Sequence, residues 1–216
     1  MMDIVYRDDV NFQHPVEAVI PGAQGRILAV LVDTTAALNL RTLARLAGVS
    51  PAQVSRVVPG LVDLGLIDRE EIPPSSLFRL ARSNVAAQAV IRLSRSREIV
   101  LGQIGEISSR LDAPPDSVIL FGSFVRNEAG SRSDIDTVVV RPDEVDEEDD
   151  SWQTSIQDWR RHVQALAGNP VEVVEVGRTE AATKLRGRSE FWRNIRREGL
   201  AAHGLGVVEL MEASDG

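Results

Sequence analysis

The segment GSFVRNEAGSRSDID, residues 122–136, constrains this chain more than any other, because it sits between two short apolar runs, Val118–Phe121 and Ile135–Arg141. Short runs of aliphatic and β-branched residues bounded by Gly, Ser and Asp predict strands. Gly122 lets the backbone leave the first strand abruptly and approach other groups closely. Ser123–Ala129 predicts a helical turn or short helix. Asp134 and Asp136 lie two positions apart where the second strand begins, so they share a face at roughly 6.5–7 Å spacing.

The alternation continues beyond the second strand. An acidic loop, DEVDEEDD at 143–150, leads to a helix from about Trp152 to Leu166, a Gly168-Asn169-Pro170 turn, a third strand Val171–Val176 and helices over 179–186 and 189–200. Such alternation predicts a sheet covered by helices. The third strand, VEVVEV, carries Glu172 and Glu175 on opposite faces, so one of them can join Asp134 and Asp136 and the other cannot. Upstream the periodicity is helical over 22–35 and 40–47. Gly48-Val49-Ser50 breaks it, Ser50 and Pro51 form a start signal, and a helix runs to about Leu64 before Gly65. Strands at Leu66–Arg69 and Leu77–Leu80 flank Pro73-Pro74. Residues 86–111 read as one long amphipathic helix with Val90, Leu93, Val100, Ile104, Ile107 and Leu111 on one stripe, ended by DAPPD. The expected division is residues 15–85, a connecting helix at 86–112, and residues 113–216, an α+β chain.

Composition removes several alternatives. The chain has no cysteine, which excludes disulfides, thiolate catalysis and Cys-type zinc sites, and its three histidines (His14, His162, His203) are scattered. No apolar stretch approaches the ~20 residues that span a bilayer, and the N-terminus MMDIVYRDDV is no secretory signal, so the expected location is the cytoplasm, with no membrane partner. The net charge of −8 comes mostly from the C-terminal part, seven acids of which lie in the 143–150 loop. Nucleic-acid contact, if made, must be local.

The central segment joins two chemistries. A glycine turn entering a helix start aims backbone N–H groups at an anion. Ser123 adds a hydroxyl and Arg126, one turn on, can reach a phosphate oxygen. Paired carboxylates such as Asp134 and Asp136 are hard oxygen ligands for Mg²⁺. Phosphate and divalent metal together are what nucleotidyl transfer needs, with two metals about 4 Å apart. The residues Gly122, Ser123, Arg126, Ala129, Ser133, Asp134, Asp136 and Val139 fill every fixed position of the pattern GSxxRxxAxxxSDxDxxV. The segment thereby resembles the DNA-polymerase-β-like nucleotidyltransferases, and most closely their minimal bacterial branch; the usual Ala-Arg-Gly centre is Val125-Arg126-Asn127 here. The resemblance implies metal ligation by Asp134 and Asp136, nucleotide contacts by Gly122, Ser123, Arg126 and Ser133, and a third carboxylate serving as metal ligand or general base. Its usual register favours Glu172, with Glu175 as the alternative catalytic residue. It further implies a nucleoside triphosphate substrate (ATP among the candidates), Mg²⁺, and a hydroxyl acceptor on a protein, a tRNA or a small molecule. The branch often occurs in toxin–antitoxin pairs.

The segment LRTLARLAGVSPAQVSRVVPGLVDLGLIDRE resembles the winged helix-turn-helix domains of small bacterial repressors. In that arrangement Pro51–Leu64 enters the major groove, led by Ser50, Gln53, Ser55 and Arg56, while Arg41, Arg45, Arg79 and Arg82 meet phosphates. Two features oppose DNA binding. Residues 40–82 hold six Arg against four acids, and Pro59 falls inside the proposed recognition helix, where proline costs about 3 kcal/mol and predicts a kink. Docking or homodimerisation is the competing role for this module; helix 86–111 is a candidate dimer element that could equally pack within one chain. The rival to an enzyme is a DNA-binding regulator or antitoxin with a sensory or degenerate nucleotide site.

Overall fold

The computed structural model describes residues 11–130 and 133–212. They form two compact units, one of residues 14–96 and the other of residues 97–212 together with 11–13.

The first unit contains α1 (Pro15–Val19), α2 (Ala23–Asp33), β1 (Leu38–Asn39), α3 (Leu40–Leu46), α4 (Pro51–Asp63), β2 (Ile67–Ile72), β3 (Ser75–Leu80) and α5 (Val85–Ser94). Asn39 caps α3 by accepting from the Thr42 amide at 2.9 Å. Ser50 and Gln53 make a reciprocal capping box at the start of α4, satisfying two otherwise orphaned donors. The antiparallel strands are ordered β1-β3-β2. The two-residue β1, too short for a periodicity signal, pairs Leu38 with Phe78. As expected, α4 is one helix that continues through Pro59 to Asp63. Its buried face, Val54, Val58 and Leu61, supplies roughly 1.5–3 kcal/mol per side chain, more than the proline penalty of about 3 kcal/mol.

The 86–111 segment is two helices, not one. α5 stops at Ser94, Arg95 adopts φ −99 and ψ 17, and α6 runs Ser96–Ser109. The expected apolar stripe is present but serves two cores: Val90 and Leu93 pack in the first unit, whereas Val100, Ile104, Ile107 and Leu111 pack in the second. Periodicity registers which face is apolar, not what it packs against.

After α6 the second unit continues with β4 (Ser117–Phe121), α7 (Gly122–Val125), β5 (Ile135–Arg141), α8 (Asp150–Ala167), β6 (Val171–Gly177), α9 (Arg178–Arg186), α10 (Glu190–Glu198), β7 (Leu200–Gly204) and α11 (Val207–Glu212). The mixed sheet has the order β6-β5-β4-β7. β4 is antiparallel to β5 and β7, and β5 is parallel to β6. Alternate strand residues divide into two cores, as a pleated sheet buried on both faces requires. Val118, Leu120, Ile135, Val139 and Val171 pack with Ile104 of α6 and Trp159 of α8. Ile119, Val138, Val140 and Val176 pack with Leu185, Ile195 and Leu210 of α9, α10 and α11. The expected helix 189–200 ends at Glu198, and Leu200 begins the edge strand β7. Among the described residues, no helix is long and apolar enough to cross a membrane.

Candidate active site

The two halves of the central segment meet at one glycine. The β4–β5 register places Phe121 opposite Asp136, so the chain turns at Gly122 beside that carboxylate. Gly122 has φ +71, and a Cβ there would lie 2.4 Å from Asp136 Oδ2. Only glycine meets both the left-handed backbone and the close approach. Val125 closes a helix of four residues, and Ala129, buried, accepts from the Phe12 and Gln13 amides at 3.1 Å while Phe12 stacks edge-on against Phe124. The small residue at position 129 is therefore a packing requirement.

Asp136 is half-buried and Asp134 exposed. In the parallel β5–β6 pair Asp136 is the register partner of Glu172, and side chains of in-register neighbours project to the same face. Burial, then the negative charges of Asp134 and Glu172, hold the Asp136 carboxyl above its ordinary range, opposed by Arg126. Glu172 is exposed and paired with Arg160 at 3.3 Å. Glu175, the alternative third carboxylate, projects to the other face. It accepts from Arg141 Nε at 3.0 Å and from the Trp152 indole at 2.8 Å. Its charge is spent anchoring α8 to the sheet, and it does not join the Asp136 face.

Among the described residues, no three His, Cys, Asp or Glu side chains converge tightly enough to hold a metal unaided. Mg²⁺ commonly uses one or two carboxylates and completes its shell with water and substrate phosphates; Asp134 and Asp136 are the carboxylates present at this strand end.

On the other side of Gly122 lie the expected phosphate contacts. The Ser123 hydroxyl has no hydrogen bond among the described residues. Arg126 pairs with Glu128 at 2.8 Å and with Glu198 at 2.7 Å. These contacts, Glu128 foremost, raise the guanidinium pKa. Glu198 Oε1 also accepts from the Gly122 amide at 3.3 Å. Sequence reasoning missed Glu198. Its one signal was a carboxylate in the last turn of a helix, where the dipole disfavours negative charge. Ser133 closes the loop before β5: its hydroxyl accepts from the Gly130 amide at 3.1 Å and its carbonyl accepts from Asn169 at 2.9 Å.

Four acids of the 143–150 loop have side-chain partners, among them Asp146, which accepts from the Glu148 amide at 2.9 Å, and Glu147, paired with Arg141 at 3.8 Å. Asp149 caps α8 through the Trp152 amide at 2.9 Å. Asp143 accepts from the Thr179 amide at 3.2 Å and from its hydroxyl at 2.6 Å, covering the start of α9. That contact with Thr179 pulls its carboxyl below the ordinary range.

In the first unit, Arg41, Arg45, Ser55 and Arg56 are exposed. Gln53 is exposed too, but its side-chain oxygen is held by the Ser50 amide at 2.9 Å. Arg82 donates to the carbonyls of Val32 and Thr34 at 2.6 and 3.2 Å, so it fastens the core. Arg79 pairs with Asp68 at 3.1 Å and Arg69 with Glu71 at 2.7 Å, which neutralises both arginines of the β2–β3 wing.

A sheet with a glycine turn set against co-facial carboxylates defines the second unit as a nucleotidyltransferase-type domain, and family comparison agrees. Residues 101–197 match the profile described as nucleotidyltransferase domain, and residues 20–75 match that of the MarR family. The chain thus joins a MarR-like winged helix-turn-helix region to a nucleotidyltransferase domain. No curated protein matches it. Among solved structures it is similar to RV1404 from Mycobacterium tuberculosis, at 29% identity over 44% of this chain and 67% of that one, TM-score 0.33. A toxin–antitoxin complex with AMP-PNP is 16% identical over 53% of this chain and 86% of that one, TM-score 0.36. TrmBL2, an archaeal chromatin protein, is 13% identical over 86% and 75%, TM-score 0.29.

Proposed function

We propose that residues 113–216 transfer a nucleoside monophosphate from a nucleoside triphosphate to a hydroxyl acceptor on a protein, a tRNA or a small molecule. The observation that carries this reading is the Gly122–Asp136 junction, where the turn leaves no room for a side chain beside the carboxylate. Asp134, Asp136 and Glu172 would hold Mg²⁺, which when bound supplies charge neutralisation for the triphosphate and leaving pyrophosphate. The Gly122 amide, the Ser123 hydroxyl and Arg126 hold the phosphates. Ser133 supports the loop that carries Asp134, which is a narrower role than nucleotide contact. Glu172, in register with Asp136, is the third carboxylate. The Asp136 pKa is raised by burial first and then by the negative charges of Asp134 and Glu172, and a cation would offset both.

The test is incubation with each α-labelled triphosphate, Mg²⁺ and candidate acceptors. Label should reach an acceptor with the wild type and not with Asp136→Ala; transfer that survives the substitution refutes the assignment.

A second role is DNA binding through the first unit, favoured by the exposed Ser55 and Arg56 on α4. With the wing arginines paired to carboxylates, affinity rests on few phosphate contacts and is modest. In that case the nucleotide site serves a regulator or antitoxin.

A further inference from the structure

The Gly122 amide and Arg126 are the two strongest donors that the site offers to a phosphate, and both are already taken. Each donates to the same oxygen, Glu198 Oε1, at 3.3 and 2.7 Å. The Glu198 side chain is only 12% exposed, whereas its Arg126 partner is 43% exposed, so an entering anion can reach the guanidinium while the carboxylate sits against the turn. Its own helix does little to favour a carboxylate there. Glu198 is the last residue of α10, where the exposed carbonyls make the helix end negative. Arg197 approaches only to 3.5 Å. The side chain is therefore held by the site rather than by its helix.

We propose that Glu198 is an intramolecular competitor for the phosphate site: its carboxylate occupies the Gly122 amide and Arg126, and an entering polyphosphate must displace it. This rests on the reading of Gly122 and Arg126 as phosphate contacts. One carboxylate carries a single charge, whereas a triphosphate carries several. Both cannot share two donors, since like charges a few ångströms apart repel strongly in a partly buried setting. Glu198 thereby favours polyphosphates over weaker anions, which cannot repay its displacement. Arg126 keeps Glu128 as a second partner at 2.8 Å, so it stays oriented toward the site when Glu198 leaves.

The experiment measures binding of inorganic tripolyphosphate by calorimetry to the full chain in metal-free buffer, for wild type, Glu198→Gln and Glu128→Gln. Glutamine keeps the size and the acceptor oxygen but removes the charge. Fluorescence of Trp192, which lies on the same helix, checks that the fold is kept. Glu198→Gln should bind about tenfold tighter, the effect of weakening one charge-assisted hydrogen-bonded contact in the competing state. Glu128→Gln should change binding by less than about threefold, as for an exposed ion pair. Unchanged or weaker binding by Glu198→Gln overturns the proposal, as does an equal gain in both variants or no binding by any of the three proteins. Tight tripolyphosphate binding by Glu198→Gln without any nucleotidyl transfer leaves the competitor standing and removes the transferase reading.

Discussion

Substituting Gly122 by alanine should destabilise the second unit through two separable effects. The residue sits at φ +71, and a left-handed backbone costs a residue with a Cβ about 1–2 kcal/mol. The added methyl would also lie 2.4 Å from Asp136 Oδ2. Asp has a short side chain, so its carboxylate must turn or the strand end must shift, an overpacking strain of about 1–2 kcal/mol. Together the cost is about 2–4 kcal/mol. Urea unfolding followed by tryptophan fluorescence measures it in the right place, because Trp152, Trp159 and Trp192 are the only tryptophans and all lie in residues 97–212. Pairing Gly122→Ala with Asp136→Ala separates the effects. The double variant loses the clash but keeps the backbone strain, so the cycle should show a coupling of about 1–2 kcal/mol. Additivity within about 0.5 kcal/mol, or a single Gly122→Ala variant as stable as wild type, refutes the close approach on which the site is built.

Three other outcomes are expected from the same geometry. Asp136→Asn should stabilise metal-free protein at neutral pH. The folded carboxyl pKa is raised by burial and by Asp134 and Glu172, so wild-type stability falls as pH rises from the ordinary Asp range through the raised folded value; tryptophan-detected urea midpoints from about pH 3 to 8 should show that fall, and the Asn variant should lack it. Asp143→Ala should cost about 1 kcal/mol, as for a lost helix cap. Because the folded Asp143 pKa is lowered, its contribution is present above the ordinary Asp range and lost as pH falls through the lowered folded value, so variant and wild type should converge in acid on the same urea assay. In the first unit, replacing Glu70 and Glu71 by Lys should tighten DNA binding and steepen its salt dependence in a gel-shift titration; no change would place the wing away from DNA.

The legible parts of the chain were those where local chemistry and tertiary context agree. Ser50-Pro51 announces a helix start, and the capping box with Gln53 is present. The strand period of VEVVEV allowed only one of Glu172 and Glu175 on the Asp136 face; the preference for Glu172 came from the family resemblance, and the register that sets it beside Asp136 is visible only in the structure. The misread parts depend on partners distant in sequence. Nothing in 86–111 distinguishes one helix from two, since the break at Arg95 comes from which core each half joins. The LAAHG of β7 has little strand propensity; it pairs because β4 offers it an open edge. Nothing in the acidic loop's sequence ties it to another element, yet Asp143 reaches a helix 36 positions away.

Three locally unfavourable features of the second unit converge on one turn. Gly122 is left-handed, Asp136 is half-buried with a raised pKa among other carboxylates, and Glu198 places negative charge at the wrong end of its helix. Each is unfavourable by itself, and none improves the packing of either face of the sheet. Elsewhere in the unit polar groups are settled: Trp159 donates to Ser108 at 2.9 Å in the core, and Glu175 is bound by Arg141 and Trp152. A fold that settles such groups elsewhere and leaves these conflicts within a few side chains of one glycine concentrates its unfavourable terms where a ligand can relieve them. The Asp136 face would be relieved by a cation, whereas Arg126 already holds two carboxylates, so an anion there has to take the place of one of them.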